Sequence, residues 1–89
     1  MLRITPRPGA NGHAVLMLEG SVVGPWVDEV ERSCVEVLAQ GRSLTLDLAE
    51  VSFVDRSGLA LFRDLMRQSV TIANCPLFLA EQLRAWRVE

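Results

Sequence analysis

The sequence predicts an α/β protein with two layers, in which a mixed four-stranded sheet carries its helices mainly on one face. Three observations support this prediction. Segments with the two-residue period of strands alternate with segments whose apolar residues recur at helical spacing. An Asn-Gly pair, a strong signal for a tight hairpin turn, separates the first two strand segments. The resulting order is β-β-α-β-α-β-α, and right-handed crossovers that run in one direction place the helices on one face.

The first two strands are predicted to form a hairpin. Leu2 and Ile4 alternate with polar residues, and Pro6 and Pro8 suit a sheet edge because proline has no N–H to donate to a ladder. The second strand is predicted from His13 to Glu19, antiparallel to the first. Its continuously apolar centre indicates a more central position in the sheet.

A first helix is predicted from Pro25 to about residue Gln40. Proline is favoured at the first helical position, and Gly41 is a typical helix stop. The apolar residues of this segment recur at helical spacing and predict one buried stripe. That stripe comprises Val27, Val30, Cys34, Val37 and Leu38.

A strand, a short loop and a second helix follow in the central stretch, which begins at Ser43. Apolar and polar residues alternate over Ser43–Leu48, which predicts a strand with one buried face. The segment Glu50–Val54 is expected to form the crossing, with Phe53 and Val54 too apolar to remain in water. Asp55 and Ser57 are small polar residues that can accept hydrogen bonds from the first-turn N–H groups of a helix. The buried face of this helix is predicted to comprise Leu59, Phe62, Leu65 and Met66.

The last two elements are a strand over Ser69–Asn74 and a helix opened by Pro76. Val70 and Ile72 are expected to point inward from the strand. One face of the helix is predicted to carry Leu79, Leu83 and Trp86.

Composition narrows the class of protein. A chain of 89 residues predicts a single domain over residues 1–89, and a net charge of -2 does not suggest a nucleic-acid partner. Cys34 and Cys75 lie far apart without metal-type spacing, so a buried thiol is favoured for Cys34 over a disulfide. The N-terminus has no apolar run of signal-peptide length, and the longest uncharged run, Gln68–Ala80, is too short to span a bilayer. A cytoplasmic, reduced setting is the resulting expectation.

The inventory of reactive residues argues against an enzyme. His13 is the only histidine and is expected to be a surface turn residue. A nucleophile elbow would need glycine where Asp55 stands. The chain shows neither the clustering of ligands that a metal site needs nor a glycine-rich phosphate loop. We therefore expect no cofactor and no metal.

The central stretch carries a family resemblance. Its pattern is Leu46-Asp47-Leu48, Val51, Phe53, Asp55, Ser57-Gly58-Leu59 and Leu61. This pattern resembles the core signature of the STAS domain (sulfate transporter and anti-sigma factor antagonist) over about residues 12 to 86. The resemblance implies the family's mixed sheet with helices. It also implies a C-terminal element beyond the last helix, which we expect to be missing or much shortened in a chain that stops at Glu89.

The resemblance also implies site residues. Ser57, just before Gly58, matches the serine that is the phosphoacceptor in bacterial anti-sigma factor antagonists, and Asp55 matches the preceding family aspartate. From spacing alone, Ser57 and Asp55 are also consistent with ordinary helix caps. Arg56 departs from the small Ser or Thr that is common between them. With Arg63 and Arg67 it predicts a basic stripe, which is either a solvated face or a means to steer an acidic partner or offset a phosphate on Ser57.

These matches imply a regulatory protein-binding module with an anti-sigma factor of the serine-kinase type as partner. The expected function is that of an anti-sigma factor antagonist, which phosphorylation of Ser57 would release from its partner. Two alternatives remain. One is a small cytoplasmic STAS subunit of a lipid-transport ABC importer, whose ATPase would be the partner. The other is an orphan STAS module in a signalling complex. Direct membrane insertion is not expected in any of these cases.

Overall fold

The computed structural model describes residues 2–9 and 12–86, so Asn11 of the predicted turn lies outside the described residues. The predicted order of elements is confirmed. The elements are β1 (Leu2–Pro8), β2 (His13–Val22), α1 (Pro25–Ala39), β3 (Ser43–Val54), α2 (Arg56–Arg67), β4 (Thr71–Ala73) and α3 (Leu77–Trp86).

The strands form one mixed sheet in the order β1-β2-β3-β4. β1 pairs antiparallel with β2, whereas β2 with β3 and β3 with β4 are parallel. Each parallel pair is joined by a helix, as such a crossover requires. The register places Leu16 beside Leu46 and Leu46 beside Ile72, so these side chains share one face of the sheet.

One face of the sheet carries the core. Every second residue is buried from Ala14 to Leu18 in β2 and from Leu44 to Leu48 in β3, and the residues between them stay partly exposed. Buried side chains from α1, α2 and α3 pack onto this face, which confirms that the helices lie mainly on one side. Among the described residues, the largest fully buried side chain is Phe62 of α2, and burial of a side chain of this kind contributes about 1.5–3 kcal/mol.

Cys34 belongs to this core. It is fully buried on α1, and burial, with a smaller effect of Glu31, raises the pKa of its thiol to about 12. The side chain therefore stays neutral and packs as a small hydrophobe, as predicted. Cys75 is a half-buried free cysteine.

The crossing predicted over Glu50–Val54 is wrong, because β3 continues as a strand through Val54. The pairing with β2 shifts register twice, between Met17 and Glu19 and between Gly20 and Ser21. Such irregularities insert residues and change which side chains face the core. Val54 is buried as expected, whereas Phe53 is 55% exposed, so the expectation that it leaves water is wrong.

Three other boundaries or faces differ from the prediction. β4 covers only Thr71–Ala73, because Ser69 (φ 70°) and Asn74 (φ 54°) adopt left-handed backbone conformations that interrupt a strand. Met66 was predicted on the buried face of α2 but is 41% exposed. Pro76 lies one residue before α3, where its carbonyl accepts from the N–H groups of two residues in the first turn. The side chain of Trp86 lies outside the described part of the structure.

Candidate functional site

The candidate site lies at the edge of the sheet where β2 and β3 end and where α1 and α2 begin. The last residues of the two parallel strands, Val22 and Val54, are paired. The N–H of Asp55 then donates to the carbonyl of Val22 at 3.2 Å. This bond holds the start of α2 against the end of β2. The carboxyl ends of parallel strands are a frequent place for functional residues in α/β folds.

The carboxylate of Asp55 connects the starts of both helices. Asp55 has extended backbone and is the N-cap of α2. Its Oδ1 accepts from the N–H of Gly58 at 2.9 Å and from the Oγ–H of Ser57 at 2.8 Å. Its Oδ2 accepts from the N–H of Gly24, directly before α1, at 2.9 Å. Asp55 therefore has the predicted capping role, and it also accepts the hydroxyl of Ser57.

These donors also determine the charge state of Asp55. The backbone N–H groups of Gly24 and Gly58, followed by the hydroxyl of Ser57, hold the pKa of this carboxyl below its usual value. Hydrogen bonds to the charged form of a carboxyl have this effect because protonation would weaken them. Asp55 is therefore ionised at neutral pH and accepts the Ser57 hydroxyl as a carboxylate.

Ser57 is the second residue of α2, and it is exposed. Its Oγ is therefore reachable from solvent while Asp55 orients it. A carboxylate with a lowered pKa is a weak proton acceptor, so Asp55 orients the hydroxyl rather than activating it. The N-terminus of a helix of this length favours an anion, because its first N–H groups and the helix dipole point toward it.

Gly58 is buried and makes the close approach of α2 to the strands possible. A Cβ atom at this position would lie 2.6 Å from Cγ1 of Val54 and 2.9 Å from the carbonyl oxygen of Val22. Both distances are too short for a side-chain carbon. The glycine of the Ser-Gly pair thus fixes how closely the Ser57 turn sits on the ends of β2 and β3.

The predicted basic stripe is not a uniform charged surface. Arg56, at the first position of α2, is exposed beside Ser57, whereas Arg63 is half-buried. Arg67 pairs with Asp64 at 3.6 Å within the same helix. Exposed pairs of this kind contribute little stability, but they offset the charge that a partner would meet. Arg56 is the member of the stripe that adjoins the site.

Gly24 is the site residue that the sequence analysis missed. It has a positive φ of 53°, which suits glycine, and its N–H reaches the carboxylate of Asp55 across 31 positions of sequence. The signal that could have pointed to it is the Gly24-Pro25 pair at a helix start. Its partner could not be identified without the register of β2 against β3.

His13 is the first residue of β2, as the predicted bounds of this strand indicated. The expectation of a surface turn residue is wrong, because its ring bridges to β3. Nδ1 lies 2.7 Å from Oγ of Ser43, and Nε2 lies 2.7 Å from Oγ1 of Thr45. The bridge sits at the opposite end of the sheet from Ser57 and forms no part of the candidate site.

The described residues contain no group of three His, Cys, Asp or Glu side chains that could hold a metal ion. Within the same part of the chain, no helix combines the length and the apolar character needed to cross a bilayer.

Comparisons with known proteins agree with this architecture. The fold is similar to the solved structure of the anti-sigma factor antagonist SpoIIAA in its unphosphorylated form, with a TM-score of 0.75. The sequence identity is 17%, and the alignment covers 92% of this chain and 82% of that chain. No curated protein matches the sequence. A family model described as the STAS domain matches residues 5–81, and the chain therefore belongs to the STAS domain family.

Proposed function

We propose that this protein is an anti-sigma factor antagonist, a regulatory module that a partner kinase switches by phosphorylating Ser57. The observation that carries the proposal is the exposed Ser57 hydroxyl, held 2.8 Å from Asp55 at the start of α2. The fold similarity to SpoIIAA supports the same class of function. The protein acts by binding rather than by catalysis, as a single domain in the cytoplasm.

The switch begins with transfer of a phosphoryl group from ATP bound to the kinase. Oγ of Ser57 forms a bond to the γ-phosphorus, the bond from that phosphorus to the β–γ bridging oxygen breaks, and ADP leaves. The hydroxyl proton passes to a base of the kinase, because Asp55 is too weak a base to take it. This chain supplies the acceptor, and the kinase supplies the catalytic groups.

The phosphate changes the surface without unfolding the domain. It adds about -1.5 to -2 charge at the N-terminus of α2, where an anion is favoured. It also removes the O–H that Asp55 accepts and places a second anion beside that carboxylate. A partner docked over Ser57 would have to bury this charge, and an unpaired buried charge is strongly unfavourable. Arg56 lies next in sequence and reduces the penalty in part.

Two states of the protein follow. Unphosphorylated, it binds an anti-sigma factor of the serine-kinase type, which then releases its sigma factor. Phosphorylated, it leaves the partner, and the anti-sigma factor again holds the sigma factor.

The test is a labelling experiment with a matched variant. The purified protein and its Ser57→Ala variant are incubated with ATP and the serine-kinase anti-sigma factor encoded nearest to the gene, and phosphate is mapped by mass spectrometry. We expect one phosphate on Ser57 and none on the variant. Phosphate on another residue, or equal labelling of both proteins, would contradict the proposal. A failure of labelling together with tight binding to an ABC-transporter ATPase would favour a transporter subunit instead.

A further inference from the structure

Two exposed aromatic residues lie close in the chain to the residues that build the Ser57 site. Trp26 is 37% exposed and Phe53 is 55% exposed. Large apolar side chains in water are common singly, but aromatic residues of this kind are enriched where proteins bind one another. The described part of the chain has six exposed large hydrophobic residues, and these two lie within two positions of Gly24 or Asp55 in the sequence. The full set is Trp26, Val35, Phe53, Met66, Leu77 and Phe78.

The backbone connects both aromatic residues to the Ser57 site. Phe53 precedes Asp55 by two residues, and Trp26 follows Gly24 by two residues. Two chain steps span at most about 7.6 Å between Cα atoms. The bond from Gly24 to Asp55 at 2.9 Å joins the two segments, and the N–H of Trp26 donates to the carbonyl of Val23 at 3.0 Å. A protein that covers Ser57 therefore also meets the segments that carry both aromatic side chains.

We propose that Trp26 and Phe53 are the apolar anchors through which the partner protein holds the unphosphorylated Ser57 site. This inference rests on the proposed function. The partner is a folded protein that presents an apolar face to the two aromatic side chains and an uncharged hydrogen-bonding surface to the Ser57 hydroxyl. Aromatic anchors beside a small polar centre are a common arrangement of binding hot spots.

The hydrogen bonds of Asp55 make this surface suitable for burial. Burial of a carboxylate is costly, and each hydrogen bond that its oxygens accept lowers that cost. Asp55 already accepts from Gly24, Gly58 and Ser57, so a partner can cover it without supplying donors of its own. The unphosphorylated edge therefore presents two apolar side chains around a polar centre whose hydrogen bonds are made internally.

The same arrangement makes the contact sensitive to phosphate. A phosphate on Ser57 would be buried in the contact, where the partner's uncharged surface offers no cation and any charge compensation is left to the neighbouring Arg56. The faces of aromatic rings are themselves electronegative and do not favour a nearby anion. Loss of the Ser57 donor also leaves Asp55 with a neighbouring dianion. The anchors thus supply affinity only while Ser57 is unmodified.

The test uses alanine variants and matched controls. The probe is whichever serine-kinase anti-sigma factor encoded in the same genome binds the purified wild-type protein most tightly. We expect Trp26→Ala and Phe53→Ala each to weaken this binding by at least about tenfold, and Trp26→Phe by less than about threefold. Val35→Ala and Leu77→Ala remove exposed apolar side chains elsewhere and should change affinity by less than about twofold. Urea denaturation checks that each variant is folded.

A second measurement does not depend on truncating an anchor. The chain contains two tryptophans, so a Trp86→Phe variant labelled with 5-fluorotryptophan reports on Trp26 by fluorine NMR. Addition of the partner should shift and broaden this single resonance, and prior phosphorylation of Ser57 should prevent the change. A resonance that stays unchanged on saturation with the partner would overturn the inference.

The two possible failures are distinguishable. If the wild-type protein binds and Ser57→Asp does not, but both alanine variants bind within about twofold of wild type, the anchors are wrong and the proposed function stands. If the wild-type protein binds none of the kinases, the proposed function fails and the anchors fail with it.

Discussion

The N–H of Gly24 donates to Oδ2 of Asp55 at 2.9 Å, so a single carboxylate both caps α2 and holds the start of α1. The two residues are 31 positions apart, and the pairing of Val22 with Val54 brings them together. Oδ1 accepts from Gly58 and Ser57 within the turn, while Oδ2 accepts from Gly24, so this carboxylate ties the Ser57 turn to the start of α1. This relationship holds the turn that carries Ser57 in place and leaves its hydroxyl accessible.

The pH dependence of stability should show this relationship. The folded-state pKa of Asp55 lies below its ordinary value of 3.8, so the folded protein binds that proton less tightly than the unfolded chain does. The contribution of Asp55 is therefore fully present above pH 3.8 and is lost as the pH falls through the lower folded-state value.

The measurement compares wild type with Asp55→Asn by urea denaturation from about pH 7 down to about pH 3. Asparagine still caps α2, but its amide places an NH2 group where Gly24 needs an acceptor. We expect the variant to be less stable at neutral pH and the difference to shrink below pH 3.8. A difference that stays constant with pH would contradict the prediction.

Substitutions at Ser57 should separate folding from binding. Ser57→Asp should stay within about 1 kcal/mol of wild type in unfolding free energy, because an anion is tolerated at a helix N-terminus. It should nevertheless weaken binding to the partner kinase by at least about tenfold, since the charge would be buried in the contact. Ser57→Ala removes the acceptor but little bulk and should bind nearly as wild type does.

In an Arg56→Ser background, the loss of partner binding caused by Ser57→Asp should be larger. An unchanged loss would exclude charge compensation by Arg56.

Gly58→Ala should destabilise the protein by about 1–3 kcal/mol, the usual range for overpacking. The added carbon would lie 2.6 Å from Val54 Cγ1, so α2 or the strand ends must move. Val54→Ala removes that atom. The double variant should therefore be more stable than the sum of the two single effects indicates, as measured by a denaturation cycle. Strict additivity would show that the backbone contact with Val22, rather than Val54, limits the space.

Truncation of a core side chain should lower the unfolding free energy, whether the side chain belongs to the sheet or to a helix. Leu46 of β3 and Phe62 of α2 are fully buried, and Leu46→Ala or Phe62→Ala should each lower the unfolding free energy by about 2–5 kcal/mol. Val35→Ala on the exposed side of α1 serves as the control and should change it by less than about 0.5 kcal/mol. A loss below about 1 kcal/mol at either core position would mean that the site collapses around the missing atoms.

The two cysteines should react at different rates. Cys34 is fully buried and its thiol has a pKa of about 12, whereas Cys75 is only half-buried, and partial burial raises its pKa as well. Since the thiolate is the reactive form, iodoacetamide should modify Cys75 first in the native protein and Cys34 only after unfolding. Mass spectrometry after timed quenching checks this order. Early modification of Cys34 would show that α1 opens locally.

Sequence patterns alone predicted the elements, their order and the turn that carries Ser57. The alternation from Leu44 to Leu48 and the polar residues before Leu59 are local signals, because they depend on neighbours within one strand or the first turn of one helix. The family pattern extends over the same stretch, and the match to the family model confirms that the chain belongs to the STAS domain family. The three site residues that match the pattern, Asp55, Ser57 and Gly58, are hydrogen-bonded neighbours.

Only the tertiary structure decided the features that depend on register between distant segments. The shifts in pairing between β2 and β3 turn Phe53 outward and extend the strand through Val54, and the same pairing places the ring of His13 against Ser43. The bond from Gly24 to Asp55 has the same origin. The two hydrogen-bonded contacts join residues about 30 positions apart. Their relative placement depends on how the sheet and its helices pack, and the local periodicity of the sequence does not encode that packing.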